Sequence, residues 1–255
     1  MNKPIRNWTA QRVWIIGASS GIGAALATAL LERGAHVAVS ARREEALQAV
    51  VAGHDEASVL AFDLTDDAAF AQAGEALFRE WGGIDVVVFS AGAYAPLRAW
   101  QLDPNEIDRL LAINLRAPMS AAGWLIPRLL KQGSGALAFV SSVAGYRGLP
   151  KAAAYGPTKA ALINFAETLY LDIEPRGLSV FLINPGFVAT PMTAANDFEM
   201  PALISPQQAA EEIIAGFARG DFEIHFPRRF TRWLKLLRLL PYRLYFALVR
   251  RFTRM

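Results

Sequence analysis

Residues 12–40, RVWIIGASSGIGAALATALLERGAHVAVS, decide the fold. Arg12 to Ile16 is a short β-branched and aromatic run, as a buried strand requires. Gly17 to Gly23 (GASSGIG) follows it and opens an apolar helix that runs to about Arg33. Gly34 stands where a C-cap would end that helix, and His36 to Ser40 reads as a second strand. In such a strand–turn–helix–strand unit the glycines let the backbone approach a pyrophosphate. The free N–H groups and the dipole of the helix N-terminus then bind its charge. The spacing is Gly17-x-x-x-Gly21-x-Gly23. A plain tight turn would also use glycines, but the place directly after the first strand favours the phosphate reading.

Val13 to Leu31 carries no charge and follows Lys3, Arg6 and Arg12, a pattern shared with signal peptides and membrane spans. Gly17, Ser19, Ser20, Gly21 and Gly23 interrupt it, and a buried strand–turn–helix explains it better. The expectation is therefore no signal peptide, no transmembrane helix and a cytoplasmic protein. Residues 1–11 read as a loose leader.

Beyond this unit the alternation continues. Ala57 to Phe62, Ile84 to Phe89, Ala136 to Ser141, Ser179 to Ile183 and Phe222 to Phe226 read as strands. Helices are predicted from Asp66, as N-cap, to Trp81, and over 153–174 and 205–219. One long helix, strained near Pro118, is predicted over 104–131. Strands alternating with helices predict a single doubly wound parallel sheet of about seven strands, with helices on both faces and ligands at the carboxyl ends of the strands. The domain reading is 1–227 for this α/β body and 228–255 for a C-terminal extension.

Composition narrows the chemistry. Of 255 residues, 53% are hydrophobic and 19% charged, which excludes a disordered chain. The absence of cysteine excludes disulfides and thiolate sites. His36, His54 and His225 are scattered, so no metal is expected. Nine of the 26 bases lie in 228–255 with no acid among them, leaving 17 bases against 23 acids before it. The high pI belongs to the tail, and no nucleic-acid partner is expected of the body.

Cofactor choice should be made at the end of the second strand, where a carboxylate would hold a ribose 2′-hydroxyl. Here Ala41 is followed by Arg42 and Arg43. An arginine suits a 2′-phosphate, so NADP(H) is expected over NAD(H). The competing reading is two solvated residues at the start of a helix.

The second informative stretch is 141–159, SSVAGYRGLPKAAAYGPTK. Tyr155 and Lys159 stand one helical turn apart and would share a face. A fixed ammonium beside a phenol favours the phenolate, and Ser142 on the preceding loop could donate to a developing oxyanion. Such a group could pass a proton to or from a carbonyl or alcohol oxygen. Taken alone, the pair could equally be an ordinary surface pair.

Placed together, these motifs resemble the classical short-chain dehydrogenase/reductase family over roughly residues 12–226. The resemblance implies a Rossmann fold. Gly17, Ser19, Ser20, Gly21, Ile22 and Gly23 look like the family's cofactor loop, and Asp63-Leu64 like its adenine contact. Ser90-Ala91-Gly92 stands where the family usually has Asn-Ala-Gly. Asn114, Ser142, Tyr155 and Lys159 match the catalytic tetrad; Ser142 is preferred to Ser141 because the family serine lies thirteen before the tyrosine. Pro185, Gly186, Val188 and Thr190 match the segment that holds the nicotinamide carboxamide. The implied reaction is hydride transfer between NADPH and a carbonyl carbon. In it Ser142 steadies the oxygen and Tyr155 supplies the proton. Lys159 lowers the tyrosine pKa and binds the nicotinamide ribose, and Asn114 holds a relay water. A homodimer or homotetramer is implied as well. Two rivals are a redox-silent scaffold that kept the fold, and a sugar-nucleotide enzyme of the extended branch, for which the chain is short.

The tail departs from the family pattern. Arg229, Arg232, Lys235 and Arg238 recur every third residue, with Phe230, Trp233, Leu234, Leu237 and Leu240 on the other side. Pro241 suits the start of a second helix, with Tyr242, Tyr245, Phe246 and Val249 on one face. This basic amphipathic extension could pack on the body, on a second subunit or on an anionic membrane. Residues 191–204 are expected to cover the substrate. Tyr94, Val143, Tyr146, Phe187, Met192, Phe198 and Met200 are pocket candidates, which points to a small hydrophobic or lipid-like carbonyl or alcohol.

Overall fold

The computed structural model describes residues 1–196 and 198–253. Asp197, in the loop expected over the substrate, and Arg254 and Met255, at the end of the tail, lie outside the described residues. Among the described residues seven strands form one sheet: β1 (Arg12–Ile16), β2 (His36–Ala41), β3 (Ala57–Ala61), β4 (Val86–Phe89), β5 (Ala136–Val140), β6 (Ser179–Pro185) and β7 (Glu223–Phe226). The order is β3-β2-β1-β4-β5-β6-β7 and every pairing is parallel. The order reverses between β1 and β4, which opens a crevice at their carboxyl ends.

The helices are α1 (Gly21–Leu31), α2 (Glu44–Val51), α3 (Asp67–Trp81), α4 (Pro104–Leu111), α5 (Ala117–Gln132), α6 (Tyr155–Ile173), α7 (Pro206–Arg219), α8 (Arg228–Arg238) and α9 (Tyr242–Phe252). Alternate strand residues choose the face. Val13 and Ile15 pack with Leu26 of α1, Leu47 of α2 and Ile213 of α7. Trp14 and Ile16 pack with Phe70 of α3, Leu125 of α5 and Leu162 of α6. Both faces are covered, so β4 (VVVF) is buried along its whole length. Trp14 stacks on Phe70 at 4.8 Å, and its indole N–H donates to Ser40 Oγ at 2.8 Å. Asp66 caps α3 by accepting from the N–H groups of Ala68 and Ala69.

The single helix expected over 104–131 is interrupted. A π turn at Ala112–Arg116 separates α4 from α5, and the Ala117 N–H reaches back five residues to the Ala112 carbonyl. Pro118 has no N–H for the Asn114 carbonyl that a continuous α-helix would pair with it, and the wider turn absorbs that loss. The turn carries Asn114 into the interior, where it is fully buried.

The leader also differs from expectation. Asn2 exchanges two hydrogen bonds with the Val180 backbone, at 2.6 and 2.9 Å, and the Ile5 N–H donates to the Phe217 carbonyl. Trp8 is buried with its ring edge against Phe217. A side-chain amide that mimics a backbone partner fixes this segment on β6.

The tail docks on the body through one face. Phe230 and Leu234 of α8 pack on the core around α6. Lys235 pairs with Glu223 at 2.5 Å. Arg147 donates to the carbonyls of Leu237 and Leu240 and so caps the end of α8. In α9, Tyr245 is buried, and its hydroxyl donates to the Gly148 carbonyl at 2.6 Å. Trp233, expected on the inner side, is 69% exposed, and Tyr242 and Phe246 also stand in solvent. No helix among the described residues is long and apolar enough to cross a membrane.

Candidate active site

A cleft of about 360 Å³ lies at the carboxyl ends of the strands. All of the site residues expected from the sequence line it except Gly23 and Asn114, which stand directly behind its wall.

The glycine loop forms one end. Gly17 has φ +93°, and a Cβ there would fall inside the van der Waals envelope of the Ala91 backbone nitrogen. A Cβ on Gly23 would overlap the Gly17 carbonyl oxygen. The loop is therefore clamped between the end of β4 and the start of α1. Ser20, at the N-cap of α1, makes no side-chain cap bond, and no acidic residue lies in the first turn. The first N–H groups of α1 thus meet no carboxylate of their own helix, and a pyrophosphate fits them.

At the end of β2, Arg42 and Arg43 are exposed and line the cleft. Among the described residues neither has an ion-pair partner. Facing them, Asp63 accepts from Thr65 N and Oγ1 at 2.9 and 2.8 Å. These bonds hold it below the ordinary carboxylate range, and the Arg42 charge adds to the effect. Leu64 and Ser90, Ala91 and Gly92 complete this wall. Arg43, read with Arg42 in the sequence, also lines it, as do Ile113 and Thr193, which were not singled out. Arg43 shares the sequence signal of Arg42. Thr193 hydrogen-bonds the Val188 carbonyl at 2.6 Å and Thr190 N at 3.0 Å, a short Thr-x-x-Thr turn that could have been read.

The other end is built on α6. Tyr155 is its first residue and Lys159 stands one turn later. The Lys159 ammonium lies 5.7 Å from the centre of the Tyr155 ring and donates to the Val140 carbonyl at 3.0 Å. Burial pushes Lys159 down to about 8. Burial also pushes Tyr155 up to about 12, and its hydrogen bond with Ser142 acts the other way. This corrects the expectation of a phenol already depressed by the lysine. Desolvation is the largest cause, and the ammonium is directed at the Val140 carbonyl and not at the phenol oxygen.

The choice between neighbouring serines is explained by their partners. Ser141 is buried and its hydroxyl donates to the Lys159 carbonyl at 2.9 Å. Ser142 lies in the cleft, accepts from Ala144 N at 3.1 Å and bonds Tyr155. Asn114 accepts from Ala93 N at 2.7 Å and donates to the Ala93 carbonyl at 2.9 Å and to Thr158 Oγ1 at 3.1 Å. Its amide therefore ties the π turn to the loop after β4 and to the first turn of α6. Pro185, Gly186, Val188 and Thr190 line the cleft beyond β6, and the Gly186 N–H is held by the Phe226 carbonyl at 2.7 Å.

The pocket candidates divide. The Tyr94 ring stands edge-on to Tyr155 at 4.9 Å, its hydroxyl donates to Asn196, and Met192 lines the cleft. Phe187 touches Phe198 and Phe230, and the Met200 sulfur accepts from Asn196. Val143 and Tyr146 belong to the core instead. Tyr146 donates to Glu223 at 2.5 Å, and burial with that bond holds its pKa above the usual phenol value.

A family model described as short chain dehydrogenase matches residues 11–200. An uncharacterized oxidoreductase of Myxococcus xanthus is 35% identical over 244 residues, 93% of this chain and 95% of the relative. A solved short-chain dehydrogenase from Sphingobium yanoikuyae in complex with NADPH is 28% identical, with a TM-score of 0.79 over 89% of this chain and 92% of that one. A short chain dehydrogenase/reductase from Burkholderia phymatum in complex with NAD shares the fold, with a TM-score of 0.84 at 20% identity over 91% and 94%.

Proposed function

Because the chain belongs to the short-chain dehydrogenase family of oxidoreductases, we propose that it is an NADPH-dependent reductase of small hydrophobic carbonyl compounds, or the reverse dehydrogenase. One observation carries this reading: Ser142, Tyr155 and Lys159 close one end of the cleft whose other end is the glycine loop with Arg42. When bound, the nicotinamide dinucleotide supplies or takes the hydride. Gly17, Ser19, Ser20, Gly21 and Ile22 with the N-terminus of α1 hold its pyrophosphate, with Gly23 giving the close helix approach. Asp63 and Leu64 hold its adenine, and Ser90, Ala91 and Gly92 form the floor. Pro185, Gly186, Val188 and Thr190 hold its carboxamide.

The side chains do the rest. Ser142 donates to the carbonyl oxygen as negative charge grows there, and Tyr155 gives it a proton. A phenol near pKa 12 holds its proton at neutral pH, which suits an acid in the reducing direction. Lys159 would hold the nicotinamide ribose, and Asn114 fixes the wall on which Lys159 and Gly92 meet. The apolar ring of Tyr94 and Met192 excludes water from the reacting oxygen. The assembly is a homodimer or homotetramer, and 228–255 makes a peripheral contact with the cytoplasmic face of a membrane.

Arg42→Ala is expected to weaken NADPH binding by about ten- to a hundred-fold and to leave NADH within about threefold, since only the 2′-phosphate loses a charge-assisted bond. Parallel fluorescence titration with the two nucleotides measures this and tests the proposal. A wild-type protein that binds NADH as tightly as NADPH would remove the Arg42 argument, and one that binds neither would end the reductase reading.

Lys159 is a second test. Its folded pKa of about 8 lies below the unfolded value of 10.5, so the unfolded chain binds more protons between those limits and stability rises with pH there. Below pH 8 the buried ammonium costs about 3 kcal/mol. Lys159→Met should therefore stabilise the fold by roughly 1–3 kcal/mol at pH 7, with a gain that shrinks toward pH 10.5, while turnover is lost. Urea denaturation at the two pH values checks it; a methionine variant less stable at pH 7 would contradict it.

A further inference from the structure

We propose that the outer face of α8 and α9 docks on an anionic lipid bilayer and holds the mouth of the cleft against it, so that an apolar carbonyl substrate enters from the membrane. The docking half stands on the tail's surface alone. The entry half rests on the reductase reading.

The outer face is both apolar and basic. Phe230, Leu234 and Leu237 use the inner face of α8, four and three residues apart. Arg229, Arg232, Trp233, Leu236 and Leu239 share the opposite face, and Leu236 and Leu239 are 56% and 80% exposed. In α9, Tyr245 points inward, and Leu244, Phe246, Arg243 and Arg250 point outward. Among the described residues, Arg229, Arg232, Arg243, Arg250 and Arg251 enter no ion pair. A face that mixes bulky apolar side chains with unpaired arginines and no acid suits the headgroup boundary of an anionic bilayer. Trp233 stands where an interfacial anchor would.

The tail adjoins the rim of the cleft. The Phe187 ring centre lies 5.8 Å from that of Phe198 in the covering loop and 5.9 Å from that of Phe230 on the inner face of α8. Met192 of the lining and Phe198 are partly exposed there. Phe187 lies between Gly186 and Val188 of the lining, so an apolar contact joins the rim of the cleft to the inner face of α8. A second copy of the chain is the rival occupant, because its body is acidic.

The test compares wild type with the triple variant Trp233→Ser, Leu236→Ser, Leu239→Ser, all at exposed positions. Both are sedimented with phosphatidylcholine vesicles, with and without phosphatidylglycerol, at low and high salt. Wild type should sediment with the anionic vesicles only, less at high salt, and the variant should partition roughly tenfold less. Wild type left in the supernatant at low salt, or a variant that sediments equally, overturns the docking. So does a wild type that ignores vesicles and self-associates while the variant is monomeric. NADPH titration of both proteins should match. If neither binds NADPH while sedimentation follows the expectation, the reductase reading fails and the docking stands. For entry, the variant should lose turnover of an apolar ketone carried in vesicles and keep that of a water-soluble ketone; equal losses overturn the entry half.

Discussion

Tyr155→Phe should reduce turnover by about 10²–10⁴-fold and leave the NADPH dissociation constant within about threefold. The change removes one oxygen. The ring keeps its edge contact with Tyr94 and its place at the start of α6. Ser142 loses a partner, but its oxygen still accepts from Ala144 N, so the loop before α6 has no reason to move. Stability should change by less than about 1 kcal/mol. Ser142→Ala serves as the companion: it should slow turnover by roughly 10²-fold, because it removes oxyanion support and leaves the acid. Wild-type turnover in the phenylalanine variant would sink the assignment of Tyr155. A wild type that binds NADPH and turns over no carbonyl compound would move the reading to a redox-silent scaffold.

The parts legible in the sequence are those whose chemistry is local. A glycine between a strand and a helix needs its conformation for reasons contained in a few residues, so Gly17 to Gly23 could be read directly. The buried faces of β1 and β4 follow from their apolar runs, and the parallel order follows from the strand–helix alternation. What could not be read depends on distant partners. The strain at Pro118 is local and legible, but the amide clamp of Asn114 on Ala93 and Thr158, which the π turn allows, joins three segments far apart in the chain. The Tyr155 pKa depends on how deeply the site is buried, and spacing on a helix says nothing of that. Tyr146 and Val143 read from the sequence as apolar pocket candidates. Only the fold shows that Glu223 on the last strand takes the Tyr146 hydroxyl and that Lys235 of the tail covers the pair. The tail's inner face was half legible: a three-residue repeat of basic residues marks an amphipathic helix, but the side on which Trp233 falls is set by the packing of Phe230 and Leu234 on the core.

The second large effect is expected from Gly17→Ala. Two separate penalties act there. The residue has φ +93°, a conformation that an L side chain adopts at a cost of about 1–2 kcal/mol. The added methyl would also overlap backbone atoms of Ser90 and Ala91, which cannot rotate away as a side-chain end could. Relieving that overlap costs roughly a further 1–3 kcal/mol and separates the loop from the end of β4. The melting temperature should fall by about 5–15 °C. NADPH binding should weaken by more than about a hundredfold, since the N–H groups at the start of α1 no longer point where the glycine loop had set them. Gly53→Ala is the control. It shares the positive φ, at +82°, but nothing lies within 4 Å of the added methyl, and it is outside the cleft. It should lose only the conformational part, roughly 1–2 kcal/mol, with NADPH binding unchanged. Differential scanning calorimetry and nucleotide titration on both variants separate strain from overlap. If Gly17→Ala binds NADPH like wild type, the loop is not the dinucleotide cradle, and the cleft must hold its ligand from the Tyr155 end alone.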